Sequence, residues 1–198
     1  MSRCLYNSSF EKFINADENS IFGALCDNYH GDALTTTREA WKSEITIMQN
    51  VIATLNDEKG QIIFEYDIPR LGKRIDVVLL LEGIVFCVEF KVGESKIFEG
   101  DIDQVLDYAL DLKNFHKFSE NNLIVPILVA TNYRNSSTDI RMSVYDDRVV
   151  NPLVTGESGI SNLISKILEK YPNEPEVNPD WIISAYDTCA SRHGNIYS

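Results

Sequence analysis

From Trp41 onward the apolar residues Trp41, Ile45, Met48, Ile52 and Leu55 recur at spacings of four, three, four and three. This is the stripe of an amphipathic helix, and it predicts one over Arg38–Leu55. Asn56-Asp57-Glu58-Lys59-Gly60 ends it. Beyond Gly60 the texture becomes β-branched and aromatic. Ile62–Ile68 reads as a strand closed by Pro69, and Ile75–Leu81 and Ile84–Lys91 as two more around Glu82-Gly83. Ile102, Val105, Leu106, Ala109 and Leu112 restore a helical stripe over Asp101–His116, with Asp101 as its N-cap. Leu123–Ala130 is another buried strand, in which Pro126 implies a sheet edge or a bulge. Val144–Val150 reads as a further strand, and Ser158 or Ser161 opens a helix to Tyr171. Ahead of all this, residues 1–37 are polar with short apolar bursts, and Asp17 or Asn19 caps a short helix to about Tyr29. The order predicts an α/β domain with a central mixed sheet flanked by helices. Its expected divisions are an N-terminal helical extension (1–37), the main domain (38–171) and a Pro-rich acidic linker or tail (172–198).

The 198 residues, 44 % hydrophobic and 24 % charged, suffice for a packed core without metal or disulfide support. No apolar run approaches the roughly 18 residues of a membrane span. The opening MSRCLYNSSFEKF lacks the apolar centre of a secretory signal. The expectation is a cytoplasmic protein without membrane contact, its Cys4, Cys26, Cys87 and Cys189 reduced. Eighteen basic against 30 acidic residues give a net charge of −12, which argues against nonspecific coating of nucleic acid. It leaves room for an enzyme with a local basic patch and a carboxylate-lined metal site. His30, His116 and His193 show no ligand spacing, so zinc is not expected, and His116 reads as a surface residue.

Candidate chemistry concentrates between Asp76 and Tyr108. If Glu82-Gly83 is a two-residue hairpin loop, positions pair so that their numbers sum to 165, and Asp76 faces Glu89. Glu89 and Lys91 share a face because side chains alternate along a strand. Two adjacent carboxylates repel unless a cation lies between them, and hard oxygen ligands suit Mg²⁺ or Mn²⁺. A cross-strand salt bridge on a solvated face is the plainer alternative. Both strands are apolar on both faces, however, so the charges look inserted into an interior.

Asp76, twelve intervening residues, then Glu89-Phe90-Lys91 resembles the motif of the PD-(D/E)XK nuclease superfamily, with Ile75 where a proline is usual. Gln104 and Tyr108 resemble the QxxxY helix of its RecB-like branch. The stretches IPRLGKRIDVVLLL, EFKVGES, DQVLDYALDLKNFH and IVPILVAT look like the N-terminal region of bacterial proteins that carry a Schlafen-type, helicase-like ATPase domain. No GxxxxGK[ST] phosphate loop occurs in the chain. The resemblance implies a restriction-endonuclease-like core in which Asp76 and Glu89 bind Mg²⁺ or Mn²⁺ and the Phe90 carbonyl adds a ligand. Lys91 then positions or activates water, and Gln104 and Tyr108 orient Lys91 or hold the backbone. Glu44, bordering the first helix stripe, is either a further ligand or a solvated glutamate.

The expected function is therefore metal-dependent hydrolysis of phosphodiester bonds in nucleic acid, DNA ahead of RNA, with a helicase-like ATPase as a candidate partner. Arg70, Lys73, Arg74, Lys96, Lys113 and Lys117 form a modest basic rim. The rival expectation is a noncatalytic nuclease-fold module that binds protein or nucleic acid.

Overall fold

The computed structural model describes residues 3–31, 33–55, 59–144 and 148–183. Among these, six strands form one mixed sheet in simple sequence order: β1 (Tyr6–Ser9), β2 (Gln61–Ile68), β3 (Lys73–Leu81), β4 (Ile84–Lys91), β5 (Leu123–Ala130) and β6 (Leu153–Thr155). The first four are antiparallel neighbours, and β4–β5 and β5–β6 are parallel. A parallel neighbour requires a crossover, which helix α4 (Glu99–Phe115) supplies between β4 and β5. The other helices are α1 (Phe10–Asn15), α2 (Glu18–Asn28, capped by the Asp17 side chain as expected), α3 (Thr35–Leu55) and α5 (Ile160–Lys170).

The sheet is covered on both faces. Ile62, Phe64, Val77, Leu79, Phe86, Val88 and the alternate residues of β5 pack with α1, α2, α3 and α5. Ile63, Val78, Leu80, Val85 and Cys87 pack with Tyr108, Ala109 and Leu112 of α4 and with Trp181. Continuous apolar runs in β3, β4 and β5 are what such double burial demands. Residues 3–31, 33–37 and 172–183 belong to this same arrangement. β1 pairs with β2, and the segment from Pro172 lies across the β3–β4 hairpin as a strap that ends on the fully buried Trp181. Among the described residues, no helix is long and apolar enough to cross a membrane, and Cys26 and Cys87 are free thiols.

Several expectations need correction. Of the two expectations for Pro126, the edge is overturned, since Pro126 lies inside the sheet, and the bulge is the one the register supports. Ile124 turns its N–H and C=O toward Arg148 and Val150, so alternation turns Pro126 the same way. There the neighbouring chain advances four residues (Val149 to Leu153) while β5 advances three (Ile124 to Ile127), and the missing N–H falls in that irregularity. Of the strand expected at Val144–Val150, residues 145–147 lie outside the described residues, Val149 and Val150 make isolated bridges, and a regular strand forms later at Leu153–Thr155. Gly159 occupies the N-cap of α5 in place of Ser158 or Ser161. Helix α4 begins two residues early, capped by Phe98 without a side-chain bond, which places Asp101 inside the first turn. Asn56–Glu58, Cys189 and His193 lie outside the described residues.

Candidate active site

The β3–β4 hairpin sets the site. Glu82 (φ 47°) and Gly83 (φ 81°) form a two-residue turn with both dihedrals positive, the geometry whose twist matches the flanking strands. The ladder runs Leu81↔Ile84 through Val77↔Val88, every pair summing to 165. Asp76 and Glu89 are the next opposed pair. There a side chain replaces the ladder: Asp76 Oδ2 accepts the Phe90 main-chain N–H at 2.8 Å. The Phe90 ring packs into the α3-side core. Its carbonyl turns toward β3, because the Lys91 carbonyl faces the other way and accepts from Thr131 N–H.

Glu89 and Lys91 project to the α4 side, where Gln104 and Tyr108, one helical turn apart, meet them. Lys91 Nζ donates to Glu89 Oε1 (2.9 Å) and Gln104 Oε1 (3.2 Å) and lies 3.3 Å from Asp101 Oδ1. Gln104 Nε2 donates to Glu89 Oε1 (2.9 Å) and to the Tyr108 hydroxyl (2.6 Å). Glu89 Oε1 thus receives two donors. Its other oxygen, Oε2, is buried and receives none, and Glu89 stands near enough to Asp76 for its charge to raise the Asp76 carboxyl. Two acceptors placed this way need a shared proton or a cation.

From the opposite side of the sheet α3 brings Glu44, 3 % exposed, with its Oε2 also buried and unpartnered. Sequence reasoning missed a fourth carboxylate, Glu65 of β2. Phe64↔Val77 and Tyr66↔Ile75 are paired, so Glu65 stands opposite Asp76. At this one position both strands turn over. Phe64 and Val77 face α3, whereas Tyr66 and Ile75 face α4 although their numbers keep the same parity. Glu65 adopts φ 55°, uncommon for a residue with a side chain, and Trp41 Nε1–H fixes its Oε1 at 2.8 Å.

The four carboxylates act on one another. Burial, then Glu65 and Glu89, push Glu44 up to about 8. Burial, then Glu89 and Glu44, raise Asp76 well above the ordinary range, against the opposing Phe90 N–H. Burial raises Glu89 despite Lys91, and raises Glu65 despite Trp41 and Arg74. Burial alone would lower the Lys91 ammonium, but Glu89 and Asp101 outweigh it and hold it above the usual lysine range.

Among the described residues, no three His, Cys, Asp or Glu side chains converge as a ready-made metal cluster. The unit here is smaller: the Asp76–Glu89 pair with an undonated oxygen, Glu44 behind it and the Phe90 carbonyl beside it. A hard dication such as Mg²⁺ suits that set, because it binds through one or two carboxylates and keeps several waters. The basic rim is thinner than expected. Arg70 stacks 3.5 Å over the Phe115 ring beside Asp111, and Lys113 donates to the Glu120 and Asn122 carbonyls. His116 is not a surface residue. It is 1 % exposed, bonded to Ser119 Oγ (2.7 Å) and the Trp181 carbonyl (3.0 Å), and burial lowers its pKa to about 4. The chain matches no family model, no curated protein and no solved structure.

Proposed function

We propose that this chain is a metal-dependent phosphodiesterase with a restriction-endonuclease-like core of the PD-(D/E)XK type, acting on nucleic acid. The observation that carries the reading is the coupling of Asp76, Glu89, Lys91, Gln104 and Tyr108 in one network that leaves Glu89 Oε2 without a donor. Mg²⁺ or Mn²⁺ held by Asp76 and Glu89, with the Phe90 carbonyl as a further donor and Glu44 adding negative charge behind the pair, would supply Lewis-acid polarisation of phosphate and water. The chain's own groups do the rest. The Phe90 N–H aims Asp76, and Gln104 aims both Glu89 and Lys91. Lys91 is kept protonated by its carboxylate neighbours, so its role is to orient water and to offset charge on the transition state, not to act as a base.

One observation favours the rival reading, a noncatalytic nuclease-fold module. Glu89, Gln104 and Asp101 surround Lys91 Nζ with three acceptors, as many as an ammonium has protons. A resting ion-pair network is complete without substrate. Metal titration decides between the two. The enzyme binds Mn²⁺ with an affinity that Asp76→Asn abolishes, and it cleaves at least one of single- or double-stranded DNA or RNA. Cleavage of none of the four by Mn²⁺-bound protein establishes the module, or a domain that needs a helicase-like ATPase partner.

A further inference from the structure

A cavity of about 530 Å³ opens beside the carboxylates, walled by residues 3–7, by Asn28 and His30 near the end of α2, and by Glu65, Asp67 and Arg74. Glu65 belongs to both the cavity wall and the acidic cluster, so the recess adjoins the proposed site of hydrolysis. Its volume lies within the range of small-molecule sites, roughly 300–1,000 Å³. The lining is polar and carries Arg3, His30 and Arg74 alongside Glu65 and Asp67. The Arg74 guanidinium lies 5.3 Å from the Tyr29 ring centroid and only loosely, at 3.9 Å, from Glu65. Asn28 spends its amide N–H on the Leu5 carbonyl, which leaves its side-chain oxygen as an acceptor.

Phe98, 56 % exposed, stands at the entrance to α4, three residues before the Asp101 that pairs with Lys91. An exposed aromatic ring is a stacking platform for an unpaired base. The recess borders β1 and β2, the carboxylates stand on β2, β3 and β4, and Phe98 follows β4 in the chain as the N-cap of α4.

We infer that the recess receives one unpaired nucleotide and Phe98 stacks another, so that the substrate is single-stranded nucleic acid or an unpaired end. This rests on the phosphodiesterase reading above. A base within a duplex cannot enter such a recess without being unstacked and unpaired, which costs a few kcal/mol. A net charge of −12 also opposes the broad phosphate contact on which duplex binding depends. Stacking and enclosure supply what electrostatics does not.

The test uses the full chain carrying Lys91→Ala, so that binding is read without cleavage. Anisotropy of a labelled oligothymidylate and of a hairpin duplex is measured at low salt with Mn²⁺, and Mn²⁺ affinity is measured separately. The expected result is single-strand binding at least about tenfold tighter than duplex binding, with Arg74→Ala and Phe98→Ala each weakening it about tenfold. Mn²⁺ affinity should be unchanged in Phe98→Ala, and thermal melts report that both variants fold. Duplex binding as tight as single-strand binding, or wild-type affinity in both variants, overturns the inference and leaves the metal site standing. A separate arm adds thymidine monophosphate in EDTA. NMR shifts at Asn7 and Asn28 support the recess even if Mn²⁺ binding fails, and their absence counts against it.

Discussion

Asp76 Oδ2 accepts the Phe90 main-chain N–H one step beyond the last rung of the β3–β4 ladder. A proposed metal ligand therefore also closes the hairpin. The two duties separate by substitution, because an asparagine oxygen still accepts that N–H but is a poor ligand for a hard dication. Asp76→Asn should fold and lose Mn²⁺ binding and activity. Asp76→Ala should lose both and also be less stable than Asp76→Asn by about 1 kcal/mol. Denaturant midpoints and metal titration on the two variants check this.

Lys91→Ala should retain Mn²⁺ binding and lose about 10²–10³ in hydrolysis rate, the usual consequence of removing one preorganised transition-state donor. The comparison is single-turnover cleavage at saturating Mn²⁺. Activity undiminished by the substitution would place the chemistry elsewhere or in a contaminant.

Gln104→Ala should lower the rate less than Lys91→Ala, since Gln104 acts through Glu89 and Lys91. Tyr108→Phe removes the acceptor for one Gln104 N–H and should show a smaller effect in the same direction. A pH–rate profile displaced in Gln104→Ala, with unchanged thermal stability, would mark positioning as its role.

The pH dependence of metal-free stability has a definite sign. Glu44 is held at about 8 when folded against 4.5 as a free side chain, so between those values the folded state binds more protons. Its contribution is complete below pH 4.5 and is lost as pH rises through 8. His116, held neutral down to about 4, works oppositely, contributing above 6.5 and losing that contribution as pH falls. Melting curves in EDTA, taken as the difference between wild type and Glu44→Gln, isolate the carboxylate. From pH 5 to pH 8 the wild type should fall steadily in stability relative to Glu44→Gln, which has no proton to lose at that position.

Trp181 is fixed at two points: its indole N–H donates to Ser119 Oγ at 2.9 Å, and its carbonyl meets His116 Nε2. Trp181→Ala should cost about 3–5 kcal/mol from cavity formation. Trp181→Phe should cost about 1–3 kcal/mol, mainly from the lost indole bond. Chemical denaturation reads both.

What was legible in the sequence was local. Glu82-Gly83 fixed a two-residue turn, a turn fixes register, and register brought Asp76 to Glu89. The QxxxY spacing put Gln104 and Tyr108 on one side of α4 for the same reason. Glu65 was hidden by its own neighbours. Phe64, Tyr66 and Ile68 alternate as in a half-exposed strand, which assigns Glu65 to solvent, and only the distant Trp41 reverses that. Asp101 read as a cap because the helix pattern begins with it. The earlier start at Glu99 frees its carboxylate for Lys91. His116 looked exposed because its partner Trp181 lies 65 residues away. The three-residue β6 is too short to carry a pattern of its own.

The tip of the hairpin bears on how this protein can be cut and joined. A β-carbon on Gly83 would lie 2.6 Å from the Pro175 carbonyl oxygen and 2.7 Å from that of Glu174, and Asn122 ties the Gly83 and Pro175 carbonyls together through one amide. Turn and strap are complementary surfaces with no slack between them. A fusion made at residue 172 would strip the cover from Gly83 and Asn122 and empty the Trp181 site. One made after Ile183 would leave both intact, so a graft of new function onto this scaffold belongs on the far side of the tryptophan.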